Sequence, residues 1–423
     1  MANPHYPPEI CAQVTLLNFT ATPEGLQDQL VNIAVNKEHA SMANKWQLLI
    51  QRYYDFMSKI KEAEKEILQL LSNQTGNILD DEKLIGTLNN SKKISKEAEL
   101  GLNDIEFNRK NIKKTAETYK EVGFRVGHLF FCVMDLAGVE PMYQFSLDWF
   151  TELYTKAIAT EPKNKETRVK DIVRIFTQLL FKTVSRSLFE KDKLLFSLLI
   201  YLKVLQCDGS VTQAEVRKLL LANIVNTTPD KKNPCDAWLS DRQWSQIYEL
   251  ASDQALTFTG LDTFFSENIT AFKHIIESSE PQDEDFPAKY KDLSPVQKLI
   301  LLRILRPDKI VPAIQKAIQA KLGRSFVEYE TFGLDSVLAD TRPQTPLIFI
   351  LSPGSDPLED IFKLAQSINQ EVLMISLGQG QDKAADTAIK GAKDNGKWVV
   401  LQNCHLAPSY LLKVEKGLSV EDE

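Results

Sequence analysis

The sequence predicts an α/β fold joined to a largely α-helical body that carries an antiparallel coiled-coil hairpin. Three observations lead there. Apolar residues keep a heptad rhythm between 49 and 119, aromatic-rich helical stretches follow from 129 to 221, and short apolar strands alternate with helices after residue 346. With 423 residues, 43% of them apolar, the chain can bury more than one core, and its length suggests two or three domains.

The first segment, Asn3 to Pro8, reads as a loop, and Val14 to Phe19 as a strand of strong β formers. Thr22 is placed to cap a helix whose first position is Pro23 and whose first turn holds Glu24. A lone strand behind a loop has its partner strands elsewhere, so we expect a chain cut from something larger.

From Leu49 the pattern becomes a seam. Leu49, Tyr53, Phe56, Ile60, Ala63, Ile67 and Leu70 alternate spacings of four and three; Leu84, Leu88, Ser91, Ser95, Ala98, Leu102, Ile105, Arg109, Ile112, Ala116 and Tyr119 continue the rhythm with three polar interruptions. Ser72 to Asn77 is a turn-rich link, and helices joined so briefly run antiparallel. The first seam covers about 22 residues, so the hairpin projects about 30 Å. Lys59, Lys61, Glu62, Glu64, Lys65 and Glu66 form its solvated face. A hairpin closing back on its parent domain and a lever touching another element both fit this pattern.

Leu129 to Leu221 reads as mainly helical, with Phe130-Phe131, Tyr143 to Phe150 and Phe176 to Phe181 assigned to core. Leu194 to Leu205 is apolar but interrupted by Lys203 and too short to cross a bilayer, so we expect a buried helix. Pro229 to Pro234 and Ser278 to Phe286 mark surface loops. Ser294-Pro295-Val296-Gln297 then opens a helix to Leu305 as a capping box with Pro at its first position.

The C-terminal region has the order of a phosphate-binding fold. The expected strand Leu347 to Leu351 enters the turn Ser352-Pro353-Gly354-Ser355-Asp356-Pro357, followed by a helix from Leu358 to Ile368. A working phosphate loop needs several glycines, a Lys for the outer phosphates and a Ser or Thr beside it for magnesium. Here there is one glycine, no Lys, two prolines without an N–H and a repelling carboxylate at Asp356. The strand Trp398 to Leu401 points at Gln402-Asn403, where an ATPase of this type places acidic residues for metal and water; amides do neither job. The degenerate loop (Ser352, Pro353, Gly354, Ser355, Asp356) and the degenerate acidic pair (Gln402, Asn403) are therefore expected to bind no cofactor. Any doubly wound domain offers apolar strands with Gly-containing turns, and that plainer reading stays open here. Gly378-Gln379-Gly380-Gln381, after the strand Val372 to Leu377, lacks a third glycine and reads as a tight turn.

Composition narrows the function. A net charge of −7 and no basic run argue against nucleic acid and anionic membranes as partners. The start lacks a secretory pattern. Cys11, Cys132, Cys207, Cys235 and Cys404 are scattered and odd in number, as expected of a reduced, intracellular chain without a metal site. His405 beside Cys404 reads as a packing pair. No catalytic constellation emerges.

Several long motifs resemble a dynein heavy chain of the axonemal type. They include Asn3-Pro4-His5-Tyr6, Val14 to Phe19 followed by Thr22 to Leu30, Gly76-Asn77-Ile78-Leu79-Asp80-Asp81 and Leu129-Phe130-Phe131-Cys132. Further along stand Pro141 to Leu147, Leu305 to Lys309, Phe349 to Gly354, Ser376 to Gln381 and Trp398 to Pro408, so the resemblance covers nearly the whole chain. It implies partial AAA+ modules: the end of the fifth at 1–44, an antiparallel coiled-coil buttress at 45–125, the helical small subdomain of the fifth at 126–160, a helical region leading to the sixth at 161–292, and part of the sixth module's α/β subdomain at 293–423. It implies a brace against the microtubule-binding stalk, with Leu49, Tyr53, Phe56, Ile60, Ile67, Leu70, Leu84, Leu88, Leu102, Ile105 and Ile112 in the seam. Asn73, Gly76, Asn77, Asp80 and Asp81 are then the candidate stalk contacts.

By the same resemblance the sixth module binds no nucleotide, and ATP and magnesium belong to other parts of the complete motor. The rest of the heavy-chain ring and stalk would be the direct partners. Intermediate and light chains and microtubules would be met through the whole motor, in the cytoplasm and cytoskeleton and in the axoneme of a cilium or flagellum. No arginine precedes Arg52, so the expected fifth-module remnant offers no arginine finger. The expected role is non-catalytic force transmission. An ATPase subunit with an unconventional nucleotide site and a free-standing coiled-coil scaffold are the competing expectations.

Overall fold

A computed structural model describes residues 9, 13–15, 22–72, 82–160, 167–221, 229–328, 333–341, 345–378 and 380–419. The chain divides into two compact units, Met1–Glu328 and Tyr329–Glu423. Residues 293–328, grouped above with the C-terminal segment, lie in the first unit.

Every regular element among the described residues of the first unit is a helix. Helix α1 (Pro23–Glu38) begins as its sequence dictates: Thr22 Oγ1 accepts the Gly25 N–H at 3.1 Å, with Pro23 in the first turn. Its buried stripe, Leu26, Leu30, Val31, Ala34 and Val35, packs on α3. Helix α2 (Ala40–Ser72) has 33 residues and α3 (Glu82–Met134) has 53, and the two pack on each other. The boundaries expected at 44/45 and 125/126 fall inside α2 and α3.

Of the seam side chains that are described, Tyr53, Ile60, Ile67, Ser91 and Ala116 are half-buried, Tyr119 is buried and Ser95 is exposed. The side chains of Leu49, Phe56, Leu70, Leu84, Leu88, Leu102, Ile105 and Ile112 lie outside the described residues, as do Asn73, Gly76, Asn77, Asp80 and Asp81 altogether. The expected strand Val14 to Phe19 falls mostly outside them as well; Val14 and Thr15 are not in a strand.

Two glycines one turn apart set how closely α1 approaches α3. A Cβ at Gly123 would stand 2.6 Å from Val31 Cγ2 and 2.8 Å from the Gln27 carbonyl oxygen. One at Gly127 would stand 3.3 Å from Gln27 Cγ. The helices are in contact there because neither position has a side chain.

Beyond Tyr119, α3 enters the core. Helices α4 (Leu147–Ala159), α5 (Arg168–Ser185) and α6 (Glu190–Cys207) surround it. Phe130, Phe150, Phe176 and Tyr154 form a chain of edge-to-face rings with centroids 5.0, 5.1 and 5.6 Å apart. The expected buried helix from Leu194 to Leu205 is the greater part of α6. Helices α7 (Gln213–Leu221), α8 (Asp241–Ser252), α9 (Leu261–Glu267), α10 (Ile269–Glu277), α11 (Pro295–Leu305) and α12 (Ile310–Leu322) follow. Helix α11 opens with the capping box read from Ser294 and Gln297, and Gln297 also donates to Glu215 of α7 at 2.6 Å.

The second unit holds α13 (Leu334–Ala339), α14 (Leu358–Ser367), β1 (Val372–Ser376), α15 (Asp382–Asn395), β2 (Trp398–Gln402) and α16 (Pro408–Ser419). Strands β1 and β2 are parallel, in register from Val372 opposite Trp398 to Ser376 opposite Gln402. Helix α15 is the crossover a parallel pair requires, and Gly396 ends it at φ +65°. Leu377, Ala385 and Tyr410 form a small core, joined by Ile375, Leu401, Ala407, Leu411 and Val414.

The expected strand Leu347 to Leu351 is not a strand. All five side chains are exposed, Ile348 at 83% and Ile350 at 68%. A strand exists by pairing, and the two-stranded sheet takes up no third member here, so local β propensity has nothing to act against. No helix among the described residues is long and apolar enough to cross a membrane.

Candidate functional site

The degenerate phosphate loop folds as a plain turn. The Ser355 N–H donates to the Ser352 carbonyl at 3.0 Å, and Gly354 supplies the left-handed residue at φ +88°. Asp356 Oδ1 accepts the Leu358 N–H at 3.0 Å. The chain's own carboxylate thus takes an N–H at the start of α14, the place where a phosphate would have to sit. Glu359 and Asp360 add two more carboxylates to that first turn. The arrangement repels anions.

Gln402 and Asn403 stand at the other strand end. The Gln402 carbonyl accepts the Leu377 N–H at 2.9 Å, and Asn403, left-handed at φ +55°, donates from Nδ2 to Ser376 Oγ at 2.9 Å. The Gln402 main chain and the Asn403 side-chain amide tie the end of β2 to the end of β1. No hydrogen bond or ion pair among the described residues joins 352–356 to 402–403. Cys404 Sγ reaches the Leu401 carbonyl at 3.3 Å and His405 is exposed. At the expected tight turn the Gln381 N–H donates to the Gly378 carbonyl at 3.2 Å, and Gln379 lies outside the described residues. No group of His, Cys, Asp or Glu among the described residues is placed to hold a metal ion.

A buried and multiply bonded polar site lies at the root of the long helices. Glu38 ends α1, α2 begins two residues later, and Arg168 opens α5. Arg168 is 4% exposed. Its Nη2 meets Glu38 Oε1 at 2.7 Å and its Nε meets Oε2 at 3.3 Å, a bidentate pair. Nη1 donates to the Thr160 carbonyl at 3.1 Å and Nη2 to the Ile158 carbonyl. Beside them His39 lies edge-on to Tyr119 of α3, with centroids 6.1 Å apart. Burial, reinforced by Glu38 and opposed by Arg168, raises the Tyr119 phenol above its ordinary value. Burial likewise raises Tyr154, whose hydroxyl has no hydrogen-bond partner among the described residues.

A second tie fixes α3 from its other side. Arg125 Nη1 meets Asp208 Oδ1 at 2.7 Å, Lys321 Nζ meets Asp208 Oδ2 at 2.8 Å, and Arg125 Nε meets Glu121 at 3.1 Å. Burial alone would raise the Asp208 carboxyl; the hydrogen bonds from Lys321 and Arg125 outweigh it and hold the group below the ordinary carboxylate range. One carboxylate therefore clamps α3 to α12 at the end of α6. The sequence carries no local signal for either tie, since the partners stand 83 to 130 residues apart.

Comparison with known proteins gives the same answer at both ends of the chain. Residues 1–98 match the family described as the ATP-binding dynein motor region, and residues 342–423 match the dynein heavy chain region D6 P-loop domain. Over 421 residues, 98% of this chain, it is 41% identical to dynein axonemal heavy chain 3 of Mus musculus and 38% identical to dynein axonemal heavy chain 1 of Homo sapiens. It is 33% identical over 422 residues to the dynein-1-beta heavy chain of the flagellar inner arm I1 complex of Chlamydomonas reinhardtii. The chain spans about a tenth of the length of these relatives. It belongs to the dynein heavy chain family.

Proposed function

We propose that this chain is a non-catalytic, force-transmitting part of an axonemal dynein heavy chain, acting in the microtubule-based motor of a cilium or flagellum. In this reading α2 and α3 form the antiparallel coiled-coil buttress, and their far end, at Asn73 to Leu84, reaches the stalk. Residues 1–44 and 126–160 belong to the fifth AAA+ module, and the second unit to the sixth. ATP and magnesium act elsewhere in the ring. Intermediate chains, light chains and microtubules are met through the complete motor.

The observation that carries this reading is the continuity of α3. It is one helix of 53 residues, with its described side chains before Thr115 exposed or half-buried and its C-terminal portion in the core. From Glu82 to Tyr119 it runs about 55 Å. A tilt of the core, held at Glu38–Arg168 and at Arg125–Asp208–Lys321, passes along it without a joint. The Asp356 carboxylate on the Leu358 N–H at the phosphate loop supports the non-catalytic part of the reading.

Titration of the folded chain with a fluorescent ATP analogue and magnesium tests that part. No binding is expected. Saturable micromolar binding that is lost on Gly354→Val would overturn it in favour of an ATPase subunit.

A further inference from the structure

A cleft of about 320 Å³ opens on the first unit where α3, α5, α6 and the end of α12 meet, and nothing in the force-transmitting reading uses it. Its volume is that of a small-molecule site. The walls are apolar: Leu129, Val169, Val173, Val204, Leu322 and Phe326. Val169, Val173 and Thr177 recur every fourth residue on α5, so one wall continues over two helical turns, about 12 Å.

The polar groups that line it are overwhelmingly cationic. Arg125, Lys170, Arg174, Lys203 and Lys321 face a single lining carboxylate, Glu121. Arg125 and Lys321 share Asp208, Arg125 also pairs with Glu121, so these two cations are balanced by two carboxylates, and Arg174 lies 3.5 Å from Asp171. Lys170 and Lys203 form no ion pair or hydrogen bond among the described residues. Lys203 is only half-exposed, so its charge is not dispersed in bulk water. In a chain with a net charge of −7, a local excess of cations over an apolar slot is a complementary surface for one kind of ligand.

We propose that this cleft binds a small amphipathic anion, a medium-chain acyl carboxylate being the simplest member of the class. The tail lies along the Val169 and Val173 wall, and the head group is answered by the rim cations, Lys170 and Lys203 foremost. Because the walls come from four helices at the root of α3, an occupant resists their separation. The site is independent of the force-transmitting reading and stands or falls by direct binding.

Isothermal titration of the full chain with decanoate, and in parallel with decanol, decides it. Decanoate binds saturably at one site and raises the thermal unfolding midpoint, while decanol binds about tenfold or more weakly. The double variant Lys170→Gln, Lys203→Gln, whose changes are confined to the rim and leave the core untouched, loses about tenfold in decanoate affinity while its circular dichroism stays unchanged. Val173→Asp removes binding through the wall. The proposal is overturned if decanoate shows no saturable binding, if decanol binds as tightly, or if the double variant binds decanoate like the parent.

Discussion

Glu38→Ala tests whether the root of the long helices is held as described. The substitution leaves the Arg168 guanidinium, 5% exposed at the side chain, without its carboxylate, which is itself only 12% exposed. Removing one partner of a buried pair costs about 3–5 kcal/mol. The Thr160 and Ile158 carbonyls still solvate part of the cation, so we expect the lower end, about 3 kcal/mol, or roughly a hundredfold in the folded-to-unfolded ratio. Arg168→Met strands the carboxylate and those two carbonyls and is expected to cost a similar amount. The double variant has no buried charge left uncompensated, so the cycle should show a coupling of about 2–3 kcal/mol. Urea unfolding followed by circular dichroism measures this, provided the slope is the same in all four proteins. Single effects that add within about 0.5 kcal/mol would refute the reasoning, because independent sites behave that way.

Other outcomes follow from the same geometry. Gly123→Ala, which forces a Cβ onto Val31 and the Gln27 carbonyl, should cost about 1–3 kcal/mol, whereas Gly86→Ala, with nothing within 4 Å, should stabilise α3 by about 0.5–1 kcal/mol; thermal melts separate the two. The folded Asp208 carboxyl lies below its unfolded value, so its contribution is present above the ordinary carboxylate range and is lost as pH falls through the folded value. Asp208→Asn should therefore be less stable near neutrality and show a flatter loss of stability from about pH 5 downward, read from urea midpoints against pH. Ile348→Asp, at a residue 83% exposed, should change the stability of the isolated chain by less than about 0.5 kcal/mol while reducing self-association in light scattering. A cost of several kcal/mol would mean that the run from Leu347 to Leu351 is covered.

Local chemistry was the readable part of this fold. The Thr22 cap, the Ser294 and Gln297 capping box, the helix after Pro357 and both paired strands are where nearest-neighbour rules put them. Each depends on residues within one or two turns. What the sequence misjudged depends on distant partners. Leu347 to Leu351 has the composition of a strand and, among the described residues, no strand that pairs with it. The Glu38 and Arg168 pair joins residues 130 apart, and nothing in Arg168's neighbourhood distinguishes it from Arg174 one and a half turns on, which is exposed. At the degenerate loop the missing Lys was legible, but the reason Asp356 is tolerated was not. It accepts the first N–H of the following helix from one residue ahead of the N-cap, a role visible only once the Leu358 N–H is in place.

In the proposed role α3 passes motion from the core to its far end as an unbroken rod. Lys110→Pro, placed in a complete axonemal dynein heavy chain at an exposed position ahead of the core, breaks the rod and leaves both ends intact. Microtubule affinity measured with and without ATP is the direct readout. Ring ATP turnover is expected to persist while affinity ceases to respond to nucleotide; an undiminished nucleotide-dependent change in affinity would show that α3 is not the transmitting rod.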